Sequence, residues 1–288
     1  MKKNLAFLVG ITPNLAFAAG NVALSLRKHM FAYDYDLVVY YTDLPESDMA
    51  VFRTMRNCRL VKFDFAPSFR SVLLENAPRQ SRFNSSAHLM AFCHFEAFSL
   101  LDEYKHVVWL DVDTSIQAGL LEITQFFPFG ITADSPWPVQ NNFSEPIPKY
   151  NMLVPGVCTA VMLVKDTLPY KEMRIWCYEK AVEYARYLVN ADQGIINILL
   201  QEFGILPNLM PLEKWQCISW RPAAPAANII HFGANNKIWS DPKILARFPG
   251  WYRVHLEWLK LGGSDFDRSR IGLPGNDSPA VRGCPAPC

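Results

Sequence analysis

The chain alternates short apolar runs with longer segments in which apolar positions recur every third or fourth residue. The runs lie at 4–11 (NLAFLVGI), 36–42 (DLVVYYT), 59–65 (RLVKFDF), 106–111 (HVVWLD), 129–134 (FGITAD), 158–164 (CTAVMLV) and 228–232 (NIIHF). Several are β-branched or aromatic and apolar nearly throughout, which is the pattern of strands covered on both faces. Residues 15–30 carry Leu15, Ala19, Val22, Leu26 and Met30 at helical spacing. Residues 86–101 are apolar around most of a helix circumference and predict a central helix. Further helices are expected at 170–188 and 192–203, the second opening on Asp192 as an N-cap. Strands alternating with helices predict an α/β fold with a mainly parallel sheet.

Two segments break this pattern. Residues 135–156 (SPWPVQNNFSEPIPKYNMLVPG) are rich in Pro and Asn and too long for a plain connection, as expected of a lid, a binding loop or a disordered stretch. From about residue 262 the chain becomes rich in Gly, Pro and Ser. The organisation read from this is one domain over 1–262 and a loose tail over 263–288.

Half of the 288 residues are hydrophobic, enough for a large core. The net charge of +1 argues against nucleic acid or another polyanion as partner. Seven cysteines (58, 93, 158, 177, 217, 284 and 288) are odd in number and lack a CxxC pair, which suits reduced thiols and a cytoplasmic protein. The opening MKKNLAFLVG imitates a signal peptide, but its apolar run is short and broken by Thr12-Pro13-Asn14, so it reads as a first strand. No run approaches the ~18 apolar residues of a spanning helix. Residues 247–260 combine aromatics with Arg247, Arg253 and Lys260. They read first as a packing helix of the fold and second as a peripheral membrane contact.

The candidate chemistry starts at HVVWLDVDTSI (106–116), where a strand ends on two carboxylates. In extended backbone, residues two apart project to the same side, so Asp111 and Asp113 can converge on one divalent cation. Ligands of open α/β sheets bind beyond the carboxyl ends of the strands, which is where this pair falls. Two chemistries fit: a haloacid-dehalogenase-type phosphatase with Asp111 as nucleophile, or a nucleotide-sugar transferase whose metal neutralises a diphosphate. Against the first, Ser115 stands at the fifth position of D-x-D-x-T and no paired-Asp element follows.

Further elements bear on the choice. HVVWLDVDTSIQAGLLEI, NADQGIINILL and IIHFGANNKIW, in that order, resemble the "YLDaD", "DQdiLN" and "HycGp.KPW" elements of glycosyltransferase family 8, the group containing glycogenin and lipopolysaccharide galactosyl- and glucosyltransferases. PGVCTAVMLV is a weaker echo of "FNsGVmlin", TADSPWP matches the Asp-containing loop before it, and the matches span about residues 4–240. The resemblance implies a GT-A-type single domain with a Rossmann-like nucleotide-binding half. It implies a retaining transferase that takes a sugar from a nucleotide sugar, a UDP-sugar, to a glycan, lipid-linked or protein hydroxyl.

It also implies roles. Mn2+ or Mg2+ would sit on Asp111, Asp113 and His231, with Thr12, Asn14, Val112, Gly233 and Lys237 on the nucleotide and diphosphate. Asp192 and Gln193 would face the donor sugar, and Asp134, Cys158, Thr159 and His94 would stand at sugar or acceptor positions. The chain departs from the family at Leu15 (an aromatic), His94 (an arginine), Cys158 (an asparagine), Ala160 (a glycine), Ile238 (the proline of KPW) and Ala234, with Gly233 one place early. These departures keep open a nucleotide-sugar-binding protein that does not transfer.

Overall fold

The computed structural model describes residues 2–77, 88–233 and 237–266. Its first part is a run of parallel strands and crossover helices: β1 (Lys3–Ile11), α1 (Ala16–His29), β2 (Asp36–Tyr41), α2 (Glu46–Arg53), β3 (Cys58–Lys62) and α3 (Pro67–Asn76). A buried stretch leads through α4 (Glu96–Leu100) to β4 (Tyr104–Leu110), β5 (Thr114–Ile116) and β6 (Phe129–Pro138). Then come β7 (Pro155–Lys165), α5 (Tyr170–Glu183), α6 (Ala191–Glu202), β8 (Asn208–Met210), α7 (Leu212–Trp215), β9 (Cys217–Ile218) and β10 (Ile229–His231). The described chain closes with α8 (Pro242–Arg247) and α9 (Pro249–Lys260).

The main sheet has the order β3-β2-β1-β4-β7-β6-β8, and β5, β10 and β9 form a small second sheet. β1 runs parallel to β2 and β4, whereas β7 is antiparallel to both β4 and β6. That reversal brings the start of β7 to the edge where β1 and β4 end, and Asp111 N donates to Ala160 O at 2.9 Å.

The fully apolar strands are explained by two cores, one on each face. On β4, Val107 and Trp109 join the core under α4–α6, while Val108 and Leu110 join the core under α1 and α9. A strand buried on both faces has no polar face to alternate with.

The structure differs from the expected elements in four places. The helix expected at 170–188 ends at Glu183 and is followed by a 3-10 turn at Ala185–Tyr187. The helix expected at 86–101 is a 3-10 segment at His88–Phe95 followed by the short α4, with 86–87 outside the described residues. Leu89, Phe92, Cys93, His94 and Phe95 are all buried, and a segment enclosed on every side carries no periodic signal to separate three from 3.6 residues per turn. α6 begins at Ala191 with Asn190 at its N-cap, so Asp192 lies inside the first turn and does not cap. Residues 135–156 are pinned, not loose: Val139 N donates to Val154 O (3.0 Å) and Gln140 N to Met152 O (2.8 Å).

In α9, Trp251, His255 and Trp258 are buried, so most of the aromatic surface of 247–260 packs inward. The first residues of the expected tail pack with it: Ser264 donates to Asp48, and Trp258 Nε1 donates to Ser264 O at 2.9 Å. Residues 267–288, with Cys284 and Cys288, lie outside the described residues. Among the described residues Cys58, Cys93, Cys158, Cys177 and Cys217 stand outside any disulfide, and burial pushes Cys58 up to about 12. Among the described residues no helix is long and apolar enough to cross a membrane.

Candidate active site

β4 ends at Leu110, and the turn Asp111–Asp113 leads into β5. β5 pairs antiparallel with β10, which sets Thr114 opposite His231, and Phe232 N donates to Asp113 O at 2.8 Å. The small sheet therefore carries the histidine to the carboxylates. His231 Nε2 lies 3.3 Å from Asp113 Oδ1 and 3.8 Å from Asp111 Oδ2. One ligand atom from each of the three residues falls within 4.8 Å of the others.

The donor set fits a hard divalent cation, since two carboxylate oxygens and an imidazole nitrogen meet at one point. The electrostatics fit too. Desolvation and the like charge of Asp113 push the Asp111 carboxyl above its usual range, the direction a bound cation would oppose. Burial acts in the same direction on Asp113, but the Lys237 ammonium and His231 overcome it and hold that carboxyl well below the usual range. Lys237 ion-pairs with Asp113 directly. Gly233 lies against the His231 ring, where a Cβ would fall 2.7 Å from Cε1. Among the described residues His231 Nδ1 is buried without a hydrogen-bond partner.

Beside this cluster lies the start of α6. Asp192 Oδ2 accepts from His94 Nδ1 (2.8 Å) and from Thr159 Oγ1 (3.0 Å). Gln193 Nε2 donates to Asp134 Oδ2 (2.9 Å) and Asn142 Oδ1 (3.0 Å). One turn on, the Asn197 amide meets both backbone groups of Val157 and so fixes the start of β7 against α6. Thr12, whose hydroxyl donates to Asn14 Oδ1 (2.6 Å), follows β1 at the same sheet edge as Val112.

Thus Asp111, Asp113, His231, Gly233 and Lys237 come together, as do Asp192, Gln193, Asp134, Thr159 and His94. Cys158 does not join them. It is on the opposite face of β7 from Thr159, where its Sγ accepts from Gln216 Nε2 (2.8 Å), and Gln216 Oε1 accepts from Thr132 Oγ1 (2.6 Å). His94 is buried and turned to Asp192. Two residues of the constellation, Trp109 and Asn142, escape sequence reasoning, and so does Gln216 on the opposite face of β7. Trp109 carried a usable signal, because a buried indole N–H needs an acceptor and Asp111 is two residues on, on the same side.

The family model for glycosyl transferase family 8 matches residues 7–243. No curated protein matches the chain. The fold resembles the apo structure of the bifunctional glycosyltransferase WbbM, with a TM-score of 0.65 at 16% identity over 91% of this chain and 51% of that one. It resembles the galactosyltransferase LgtC in complex with donor and acceptor sugar analogues, with a TM-score of 0.62 at 12% identity over 89% of this chain and 99% of that one. The glycosyltransferase GlyE of Streptococcus pneumoniae TIGR4 gives 0.56 at 13% identity, over 93% of this chain and 66% of its own. The chain thus spans about half of WbbM. These structures establish a GT-A fold.

Proposed function

The chain belongs to glycosyl transferase family 8, and from that premise we propose that it is a metal-dependent, retaining hexosyltransferase. It takes a sugar from a UDP-sugar to a hydroxyl of a glycan, glycolipid or protein. The observation that carries this reading is the convergence of Asp111, Asp113 and His231 at the end of β4, linked through buried rings to a second carboxylate, Asp192. Family membership leaves the phosphatase alternative without support.

Asp111, Asp113 and His231 would hold Mn2+ or Mg2+, which would supply positive charge at the diphosphate. Lys237, held beside Asp113, adds a second positive charge at that end of the donor. The bond between the anomeric carbon and the diphosphate oxygen breaks, and its electron pair leaves on the diphosphate. The acceptor oxygen bonds to the same face of that carbon, and its proton passes to the departing phosphate oxygen.

Both bonds to Asp192 fall on Oδ2, so Oδ1 is the oxygen assigned to the sugar hydroxyls. Gln193, anchored through its Nε2, is assigned to the reacting face. Thr12, Asn14 and Val112 are assigned to the nucleoside, Gly233 to the diphosphate side, and Asp134 and Thr159 to the sugar or acceptor. The inward placement of Cys158 and His94 limits both to indirect effects.

The test is a screen of nucleotide sugars crossed with Mn2+, Mg2+ and a chelator, read as release of the nucleoside diphosphate. UDP-sugar turnover that needs the metal and falls at least about 10²-fold in Asp113→Ala is expected. Turnover unaffected by chelator and by that substitution would sink the metal assignment. Binding of UDP with Mn2+ but no release from any donor would favour a binding protein.

A further inference from the structure

Trp109 joins two parts of the site that sit on different elements. Its Nε1 donates to Asp111 Oδ1 at 2.8 Å. Its ring lies flat on the His94 imidazole, with centroids 4.5 Å apart and planes 11° from parallel. His94 in turn donates from Nδ1 to Asp192 Oδ2 at 2.8 Å. Both rings are buried, and Gly10 leaves room for the indole, since a Cβ there would lie 3.1 Å from Trp109 Cη2.

Each bond selects one oxygen of its carboxylate. With Oδ1 on the indole, Asp111 turns Oδ2 toward His231, 3.8 Å away. That selection matters, because the Asp111 side chain is 38% exposed and is repelled by Asp113, so an unanchored carboxylate would swing outward. At the other end His94 is held by one nitrogen and one ring face, and among the described residues its Nε2 has no hydrogen-bond partner. Removing the stacked indole takes away the ring contact on that face.

We propose that Trp109 is a positioning residue that couples the metal-side carboxylate Asp111 to the sugar-side carboxylate Asp192, with His94 as the intermediate. The inference rests on the glycosyltransferase reading for the meaning of the two ends, but not for the coupling itself. Partners that orient metal ligands in this way typically change metal affinity by about 10- to 100-fold when removed.

The experiment measures two equilibria by calorimetry, with turnover as a third readout. One is the affinity for Mn2+; the other is the gain in affinity of a UDP-sugar over UDP at saturating Mn2+. Trp109→Phe keeps the stack and loses the N–H, so Mn2+ affinity should fall about tenfold with the sugar gain nearly intact. His94→Phe keeps the stack and loses the bond to Asp192, so the sugar gain should fall and Mn2+ affinity should hold. Trp109→Leu removes stack and N–H together and should lose both, although it is His94, not residue 109, that bonds Asp192.

His94→Leu makes the same test from the other side should Trp109→Leu not fold: releasing the indole should lower Mn2+ affinity at least about threefold, where His94→Phe does not. A Trp109→Leu protein, or failing that a His94→Leu protein, that disturbs only its own end overturns the coupling. Wild-type Mn2+ affinity in Trp109→Phe overturns the anchor. If the wild type turns over no nucleotide sugar, the functional reading fails while the Mn2+ arm still decides the coupling.

Discussion

Gly233 lies directly on the imidazole of His231: a Cβ at that position would stand 2.7 Å from Cε1 and 3.2 Å from each ring nitrogen. Contacts that short force a neighbour to move, and the neighbour is the only imidazole of the cluster of Asp111, Asp113 and His231. Gly233→Ala should therefore keep the fold but tilt the ring, with Mn2+ affinity lower by about tenfold or more. Circular dichroism and a calorimetric Mn2+ titration check both halves. Unchanged affinity would mean that the imidazole is not a ligand.

Asp111 and Asp113 should respond in opposite ways to loss of charge in the metal-free protein. The Asp111 carboxyl is raised in the folded state, so folding takes up a proton there, and its ionised form costs stability as pH rises past the unfolded value toward neutrality. Asp111→Asn keeps an oxygen for Trp109 Nε1, removes that cost and should raise the melting temperature of the metal-free protein at pH 7. It should also abolish the further rise expected of the wild type on adding Mn2+. A lower metal-free melting temperature would refute the assigned direction.

Asp113 is lowered in the folded state, so its contribution to stability is present above the unfolded carboxyl value and is lost as pH falls through the folded one. Asp113→Asn leaves the Lys237 ammonium without its partner and should lower the metal-free melting temperature at neutral pH. The difference from wild type should shrink on acidification below the ordinary carboxylate range. A difference that grows in acid would contradict the pairing.

Much of this site was legible in the sequence because its residues act where strands end. Asp111, Asp113 and His231 each follow an apolar run, so the pair was found where a strand ends, although the backbone at 111–113 is a turn and not the extended segment expected from the spacing. What could not be read was orientation. His94 stands where the family has an arginine, yet the 3-10 winding of 88–95 turns it inward to Asp192. Cys158 and Thr159 are neighbours in sequence but belong to opposite faces of β7, and that assignment required knowing that β7 runs antiparallel between β4 and β6. Short elements such as β5, β9 and β8 have two or three residues each, too few to show a period.

Lys237 offers a test that separates charge from packing. Its ammonium pairs with Asp113 while Ile238 and Trp239 beside it are buried, so the backbone of this segment is fixed independently of the amine. Lys237→Met keeps most of the stem and removes the charge. Turnover should fall about 10²-fold, with the loss mainly in kcat if the charge acts on the leaving diphosphate. A change confined to KM would assign the lysine to ground-state binding of the donor.

Two helix glycines should answer the same substitution with opposite signs. In an open helix position Gly→Ala gains up to about 1 kcal/mol from propensity. Gly250, near the start of α9, has nothing within 4 Å of where a methyl would stand, so Gly250→Ala should stabilise the protein by up to about that amount. Gly20, in the middle of α1, has Trp258 Cδ2 and Cε3 at 2.4 Å from the same position. The indole cannot retreat: Gly263 closes on its other side, where a Cβ would lie 2.0 Å from Cε2, and its Nε1 is bonded to Ser264 O. Overpacking of a rigid, fully buried ring costs about 1–3 kcal/mol, which outweighs the propensity gain. Gly20→Ala should therefore destabilise, and urea melts of the two variants measure the signs directly. Trp258 packs on Gly20 of α1 and Phe52 of α2, and Ser264 bonds Asp48 of α2, so α9 and residues 263–264 are clamped onto both helices. The loss should therefore bring earlier proteolytic cutting near residue 263. Stabilisation by Gly20→Ala would mean that the ring is free to move and that the clamp does not hold.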